Sequence, residues 1–247
     1  CSGNLVLKNS IIEGTIDDAL NIHGNFCVFK RAEGNKLYAD CKGAACKDYT
    51  LFGTGDKIRV YRGSTMEESG EYMIESIRKL CGTELEFTLD KTVGVHAEGD
   101  VIENFSAQPK ILIDNCVFGK SNTHLRFQSR GEITVRNCVT ELPFMLTGDM
   151  NYWYESSPVE NMTLENVKFV GVRADILCNP EFMPTEKEPY YHGRLSVRNC
   201  SFDTETPITA HHIRFIEFKN NENTSGKEMK LSLAECGEAY VDGDNIL

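Results

Sequence analysis

The stretch "ILIDNCVF", residues 111–118, sets alternating apolar residues ahead of an Asn and a further apolar pair behind it. Four other stretches follow the same template: "LVLKNSII" (5–12), "ITVRNCVT" (133–140), "MTLENVKF" (162–169) and "LSVRNCSF" (195–202). A weaker copy, "IRFIEFKNN", ends its strand at Asn220. Alternation with a period of two marks a half-buried strand. Asn suits the turn that follows, because it tolerates left-handed backbone and its amide can bond nearby main chain. The Asn residues stand at 9, 115, 137, 166 and 199, with spacings of 22, 29 and 33 after the second. A unit of about 20 residues, with room for two or three short strands and none for a helix, predicts a parallel β-helix in which stacked coils bring like residues into ladders.

The first spacing breaks the period. About 80 residues too many separate Asn9 from Asn115, and they read as strand-like runs, "FCVFKR", "KLYADC", "KIRVYR", "EYMIESI", "ELEFTL" and "DVIENF", parted by "EGN", "GTGD", "CGTE" and "AEGD". This is the turn chemistry of antiparallel hairpins. The expected organisation is an all-β chain with β-helix coil over 1–25, an inserted antiparallel β-barrel over 26–107 and the helix resuming over 108–247.

Composition narrows the partners. With 247 residues, a formal net charge of −11 and no Lys/Arg-rich run, the chain is ill suited to nucleic acid or an anionic membrane surface, and a neutral ligand is expected. No stretch is long and apolar enough for a membrane span. Of the ten cysteines, Cys116, Cys138 and Cys200 follow the repeat Asn and read as stacked, reduced core thiols. Cys41 and Cys46 in "DCKGAACKD" have a spacing that suits a disulfide or half of a metal site, without the His or second Cys pair that zinc would need.

Candidate chemistry begins at "GTIDDALNIHG" (14–24). If Leu20 and Ile22 point inward, Asn21 and His23 point outward. A buried unpaired carboxylate is too costly, so a bend at "GTIDD" is expected to swing both Asp17 and Asp18 to the outer face. In "SNTHLRFQSRG" (121–131) the inward pair Leu125 and Phe127 sends His124, Arg126 and Gln128 outward. Stacking at about 4.8 Å per rung would set these beside Asp17, Asn21 and His23 as an exposed row able to hold sugar hydroxyls and hydrolyse a glycosidic bond. Trp153, the one tryptophan, offers a platform for the apolar face of a sugar, and Asp149 and Glu155 share its loop.

The stretches "DDALNIHG" (17–24), "NTHLRFQSRGEITVRNC" (122–138) and "YWYESSPVENMTLENVKF" (152–169) resemble glycoside hydrolase family 110, exo-acting α-1,3-galactosidases that remove terminal galactose, including that of the blood group B determinant. The resemblance implies a right-handed β-helix interrupted by β-barrel modules, distantly polygalacturonase-like, in an exported bacterial protein. It also implies inverting hydrolysis with no metal or organic cofactor, acting on a galactose-terminated oligosaccharide or glycoconjugate. By that analogy Asp17 is the general acid, Asp18 part of the water-activating base and His124 a catalytic neighbour of the acid. Asn21, His23, Arg126, Gln128, Asp149, Trp153 and Glu155 are then the substrate-binding set. Inverting relatives use a third carboxylate one coil earlier, which from Asp17 falls before Cys1. The chain is therefore expected to hold half of a groove, to be weakly active or inactive alone, and to associate as a homodimer through its N-terminal edge. The alternative from another class is a non-catalytic glycan-binding β-helix of the adhesin or tailspike kind, which needs the groove but not the paired carboxylates.

Overall fold

The computed structural model describes residues 2–41, 51–148, 153–171, 173–180 and 184–247. Every regular element among them is a strand, and no helix is long and apolar enough to cross a membrane. Three parallel sheets are built by successive passes of the chain. The first takes Asn4–Lys8, Lys110–Asp114, Glu132–Arg136, Asn161–Glu165, His192–Arg198, Ile213–Lys219 and Glu238–Val241, with Asp244–Asn245 folded back antiparallel on the last. The second takes Ile11–Glu13, Val117–Gly119, Val139–Thr140, Lys168–Phe169, Ser201–Phe202 and Glu222–Asn223. The third takes the start of Leu20–Glu33, then Leu125–Gln128, Phe144–Leu146, Ile176–Cys178, Ile208–His211 and Ser232–Ala234. Each of the first six passes thus gives one strand to each sheet, in the same order, and the seventh gives one to the first sheet.

The period-two pattern explains the packing. Ile111 and Ile113, Ile133 and Val135, Met162 and Leu164, and Leu195 and Val197 are buried in one continuous core, and register pairs each with its copy on the next pass. Phe127, Phe144, Phe169, Phe202 and Phe218 run through that core in a file of ring contacts with centroids 4.5–5.8 Å apart.

The Asn at the end of each first-sheet strand has φ between 53° and 56°. Its N–H donates to the carbonyl just before the Asn of the next pass: Asn115 to Arg136, Asn137 to Glu165, Asn166 to Arg198 and Asn199 to Lys219. Side chains add rungs where Asn115 Nδ2 donates to Asn9 Oδ1 (2.8 Å), Asn166 Nδ2 to Asn137 Oδ1 (3.3 Å) and Asn137 Nδ2 to Asp114 Oδ1 (3.0 Å). The next residue tucks inward: Cys116, Cys138 and Cys200 are buried free thiols, and burial raises Cys138 and Cys200 to about 11. On the last pass Asp242 takes the left-handed place, and its Oδ1 accepts the Asn220 N–H at 2.7 Å.

The corner leading into the first sheet follows another rule. A Cβ on Gly131, Gly193 or Gly237 would lie 1.7, 2.3 or 2.4 Å from the carbonyl oxygen of Pro109, Glu160 or Arg214 on the preceding pass, so only glycine allows these passes to approach. His192 is buried one residue earlier, where its Nδ1 accepts the Val159 N–H and its Nε2 donates to the Leu146 carbonyl, both at 3.1 Å. Burial pulls its pKa down to about 3.

The 14-residue strand Leu20–Glu33 belongs to two structures. Its first residues sit in the third sheet. Beyond them Phe26–Val28 pairs antiparallel with Val101–Asn104, and Val28–Glu33 with Lys36–Asp40. Antiparallel pairing continues through Glu84–Leu89, Glu68–Lys79 and Lys57–Tyr61 back to Val101–Asn104, which closes six strands into a ring with no open edge. Leu37, Ile58, Ile74, Phe87, Leu89 and Ile102 fill a separate core inside it. Cys41, whose spacing from Cys46 suits either a disulfide or half of a metal site, pairs with another cysteine. Val28 opposes Asp40, so Cys27 and Cys41 face each other across the hairpin and are disulfide-bonded with Cα atoms 4.4 Å apart. Cys46 lies outside the described residues.

Candidate active site

The chain between the second and third sheets, residues 14–19, is not in a strand, and Gly14 has φ 72°. The expected bend at "GTIDD" is present. Its two carboxylates nevertheless differ. Asp17 stays exposed, and its Oδ1 accepts the backbone N–H of Asp18 at 2.8 Å. Asp18 is the one that enters the row, with Oδ1 3.3 Å from His124 Nε2 and Oδ2 3.6 Å from Arg126 Nε. His124 therefore contacts Asp18 where sequence reasoning set it beside Asp17.

Register fixes the rest. Leu125 pairs with Leu20, Arg126 with Asn21, Phe127 with Ile22 and Gln128 with His23. Because both strands place apolar residues on alternate positions, the polar residues between them share the other face. Arg126 Nη2 donates to His124 Nε2 at 3.1 Å. A guanidinium has no acceptor, so this bond requires an unprotonated Nε2. A proton placed there would exchange the bond from Arg126 for one to Asp18. Burial lowers the His124 pKa; Asp18 and Asp17 pull it upward, while Arg126 adds to the lowering. At neutral pH the imidazole is thus neutral and able to accept a proton.

A second carboxylate comes from a later pass. Residues 155–157 fold back onto the long strand, with Glu155 opposite Asn25 and Ser156 opposite Gly24 in an antiparallel bridge. The Tyr154 carbonyl accepts the Phe26 N–H (2.8 Å), and the Ser157 N–H donates to the Gln128 carbonyl (2.7 Å). A Cβ on Gly24 would stand 2.5 Å from Ser156 Oγ and 3.5 Å from its carbonyl oxygen, so the two segments lie in close contact here. The fold-back buries Glu155 and surrounds it: Gln128 Nε2 donates to Oε2 at 2.7 Å, Asn21 Nδ2 to Oε1 at 3.2 Å, His23 Nε2 lies 3.5 Å from Oε1, and Arg126 Nη1 lies 3.8 Å from Oε2. Arg126 is consequently within ion-pair reach of both Asp18 and Glu155.

The expected exposed row is corrected by this segment. Gln128 is fully buried, and Glu155 keeps only 9 % of its side chain accessible, so Glu155 does not solvate its loop. Among the described residues, Asn21 Oδ1, Asn25 Nδ2 and Gln128 Oε1 are buried without a hydrogen-bond partner. Trp153 stands about half exposed two residues before Glu155. Asp149 lies outside the described residues. Sequence reasoning missed Asn25 and Gly24; the fold-back that gives them a role carries no period in the sequence.

No family model matches the chain. Among curated proteins it is similar to α-1,3-galactosidase A of Bacteroides fragilis, with 22% identity over 98% of this chain and 44% of the relative. It is also similar to α-1,3-galactosidase A of Akkermansia muciniphila (26% identity, 93% of this chain, 40% of the relative) and α-1,3-galactosidase B of Bacteroides thetaiotaomicron (28%, 90% and 39%). The similarity is distant and runs over most of the chain, which spans about two fifths of the length of these curated relatives.

Proposed function

We propose that this chain carries the catalytic row of an inverting glycosidase that removes terminal α-1,3-linked galactose from glycans, of the family 110 kind. The observation that carries the reading is the single guanidinium of Arg126 between two carboxylates, Asp18 and Glu155, on three separate passes of the chain. Similarity to α-1,3-galactosidases supports the substrate class. In this reading the three parallel sheets wind as a right-handed, polygalacturonase-like β-helix over 1–25 and 108–247. The antiparallel ring is a barrel inserted over 26–107. The Cys27–Cys41 disulfide suits the export expected of such a protein.

Inversion needs an acid at the leaving oxygen and a base for water on the opposite side of the sugar, with carboxyls roughly 6.5–9.5 Å apart. Asp17, exposed and held only through its bond to the Asp18 N–H, is the acid reaching toward the leaving group. Asp18, paired with His124 and Arg126, orients water, and His124 Nε2 can take up the proton. Asn21, His23, Arg126 and Glu155 form the polar wall for galactose hydroxyls, and Gln128, buried behind them, holds Glu155. Trp153 supplies a ring for the sugar's C–H face.

The test is hydrolysis of galactose-α-1,3-galactose with chelator present, the released sugar being followed by proton NMR. Release of β-galactose first is expected. Release of α-galactose would overturn inversion, and absence of hydrolysis both by this chain and by a longer protein containing it would overturn the glycosidase.

A further inference from the structure

The antiparallel ring meets the row at a buried carboxylate, besides sharing the long strand with it. Glu103, on the ring strand Val101–Asn104, opposes Phe26 and Arg59 across its two neighbours and is 1 % exposed. Its Oε2 accepts from Arg130 Nε at 3.0 Å. Arg130 lies two residues past Gln128 and also donates to Tyr61 Oη (3.0 Å) and to Glu160. Glu103 Oε1 accepts from Gln108 Nε2 (3.1 Å) and from the hydroxyl of Ser157. Gln108 Oε1 in turn accepts the Arg130 N–H at 3.1 Å. Both carboxylate oxygens of a ring residue are therefore spent on groups that flank the row: Arg130 after Gln128, and Ser157 after Glu155. Burial disfavours the charge on Arg130, but Glu103, Tyr61 and Glu160 outweigh it and raise its pKa.

We infer that the ring is a positioning element for the site: Glu103, through Ser157, holds residues 155–157 against the long strand and so sets where Glu155 meets Asn21, His23 and Gln128. This rests on the glycosidase reading for its catalytic consequence, but the mechanical part stands apart from it. Glu103 and Ser157 touch no candidate reacting group. They act through Glu155, on the side of the segment away from Tyr154, whose carbonyl accepts the Phe26 N–H. Arg130 pairs with one oxygen of the buried Glu103 carboxylate and leaves the second for Ser157.

The experiment uses Ser157→Ala, which cuts the link and leaves the Glu103–Arg130 pair intact. The first readout is quenching of Trp153 fluorescence by acrylamide, since Trp153 is the one tryptophan of this sequence and stands two residues from Glu155. The second is KM against kcat for an α-galactoside. A control, Ile74→Ala, loosens the ring core without touching Glu103. Expected are a roughly twofold rise in the quenching constant and a KM about tenfold higher with kcat changed less, the pattern of a lost ground-state contact. The melting temperature should fall by less than in the control. Unchanged quenching in Ser157→Ala, or the same change in Ile74→Ala, would overturn the positioning role. Changed quenching in a protein that hydrolyses no galactoside would leave the role standing and remove the function proposed above.

Discussion

The Asn corner and the carboxylate row are built on the same passes of the chain, and they differ in one respect. At the corner six passes present Asn in the same backbone state and the seventh Asp, each of the bonds between them falling on the same station of the neighbouring pass. Along the row no residue repeats: Asp18 and Asn21 come from one pass, His124, Arg126 and Gln128 from the next, and Glu155 from a segment that leaves the ladder and returns. Repetition is what stacking rewards, because one solution to the turn serves every coil. A departure from repetition costs stability at each place, so it persists where a ligand or a junction has a use for it. The corner at Arg130 and His192 is of the second kind. Counted back from the paired first-sheet strands, the same station holds Arg130, Val159, His192 and Ile213 on successive passes.

The largest expected effect lies in the row. Asp18→Asn should lower turnover by a factor on the order of 10² or more with the fold intact, and Asp17→Asn likewise if it is the acid. Circular dichroism and steady-state kinetics on the same samples check this; near-normal turnover in either variant would remove that residue from the chemistry.

Next comes the broken corner. With a folded pKa of about 3 against roughly 6.5 unfolded, His192 binds a proton more readily in the unfolded chain. Stability is full above about pH 6.5 and falls as pH drops toward 3, by about 2 kcal/mol at pH 5. His192→Gln keeps one acceptor for Val159 and one donor for Leu146. Denaturant titrations at pH 5 and 7 should show a smaller difference in this variant than in the parent.

The smallest effect is at the repeating corner, where two substitutions split the work of one residue. Asn137→Ala faces the left-handed backbone with a Cβ and loses both side-chain rungs, which costs about 1–3 kcal/mol. Asn137→Gly keeps the backbone at ease and should cost less than about 1 kcal/mol. Galactoside turnover should be unchanged in both. Equal losses for glycine and alanine, measured by urea unfolding, would show that the side-chain bonds both variants lack, and not the backbone, decide the corner.

What could be read from the sequence follows the same division. The strands, the Asn turn and the pairing of Leu20–His23 with Leu125–Gln128 were legible because each is carried by a local period that neighbouring passes share. The burial of Glu155 was not, because it depends on a fold-back of three residues that no local period announces. Which of Asp17 and Asp18 enters the row was equally hidden, since outside a strand neither alternation nor charge chooses between adjacent carboxylates. The Cys27–Cys41 bond needed the hairpin register, and a pair five residues apart drew attention instead. The close-approach glycines 131, 193 and 237 do sit just inside or ahead of repeat strands, a signal that was present and went unread.

The long strand Leu20–Glu33 also bears on the order in which the chain can assemble. Asn9 and Asn115 are 106 residues apart, a separation at which bringing two strands into a parallel pair is slow, since the whole loop must close before any contact rewards it. Inside that loop the ring can form from hairpins and near neighbours, and its last pairing joins Phe26 to Glu103. Once it has, Leu20 and Leu125 are separated by a path of only about 30 residues, and the remaining closure entropy shrinks accordingly. The ring that seems to interrupt the repeat is in this sense a shortcut: among the described strands it converts the most distant parallel pairing into a nearly local one.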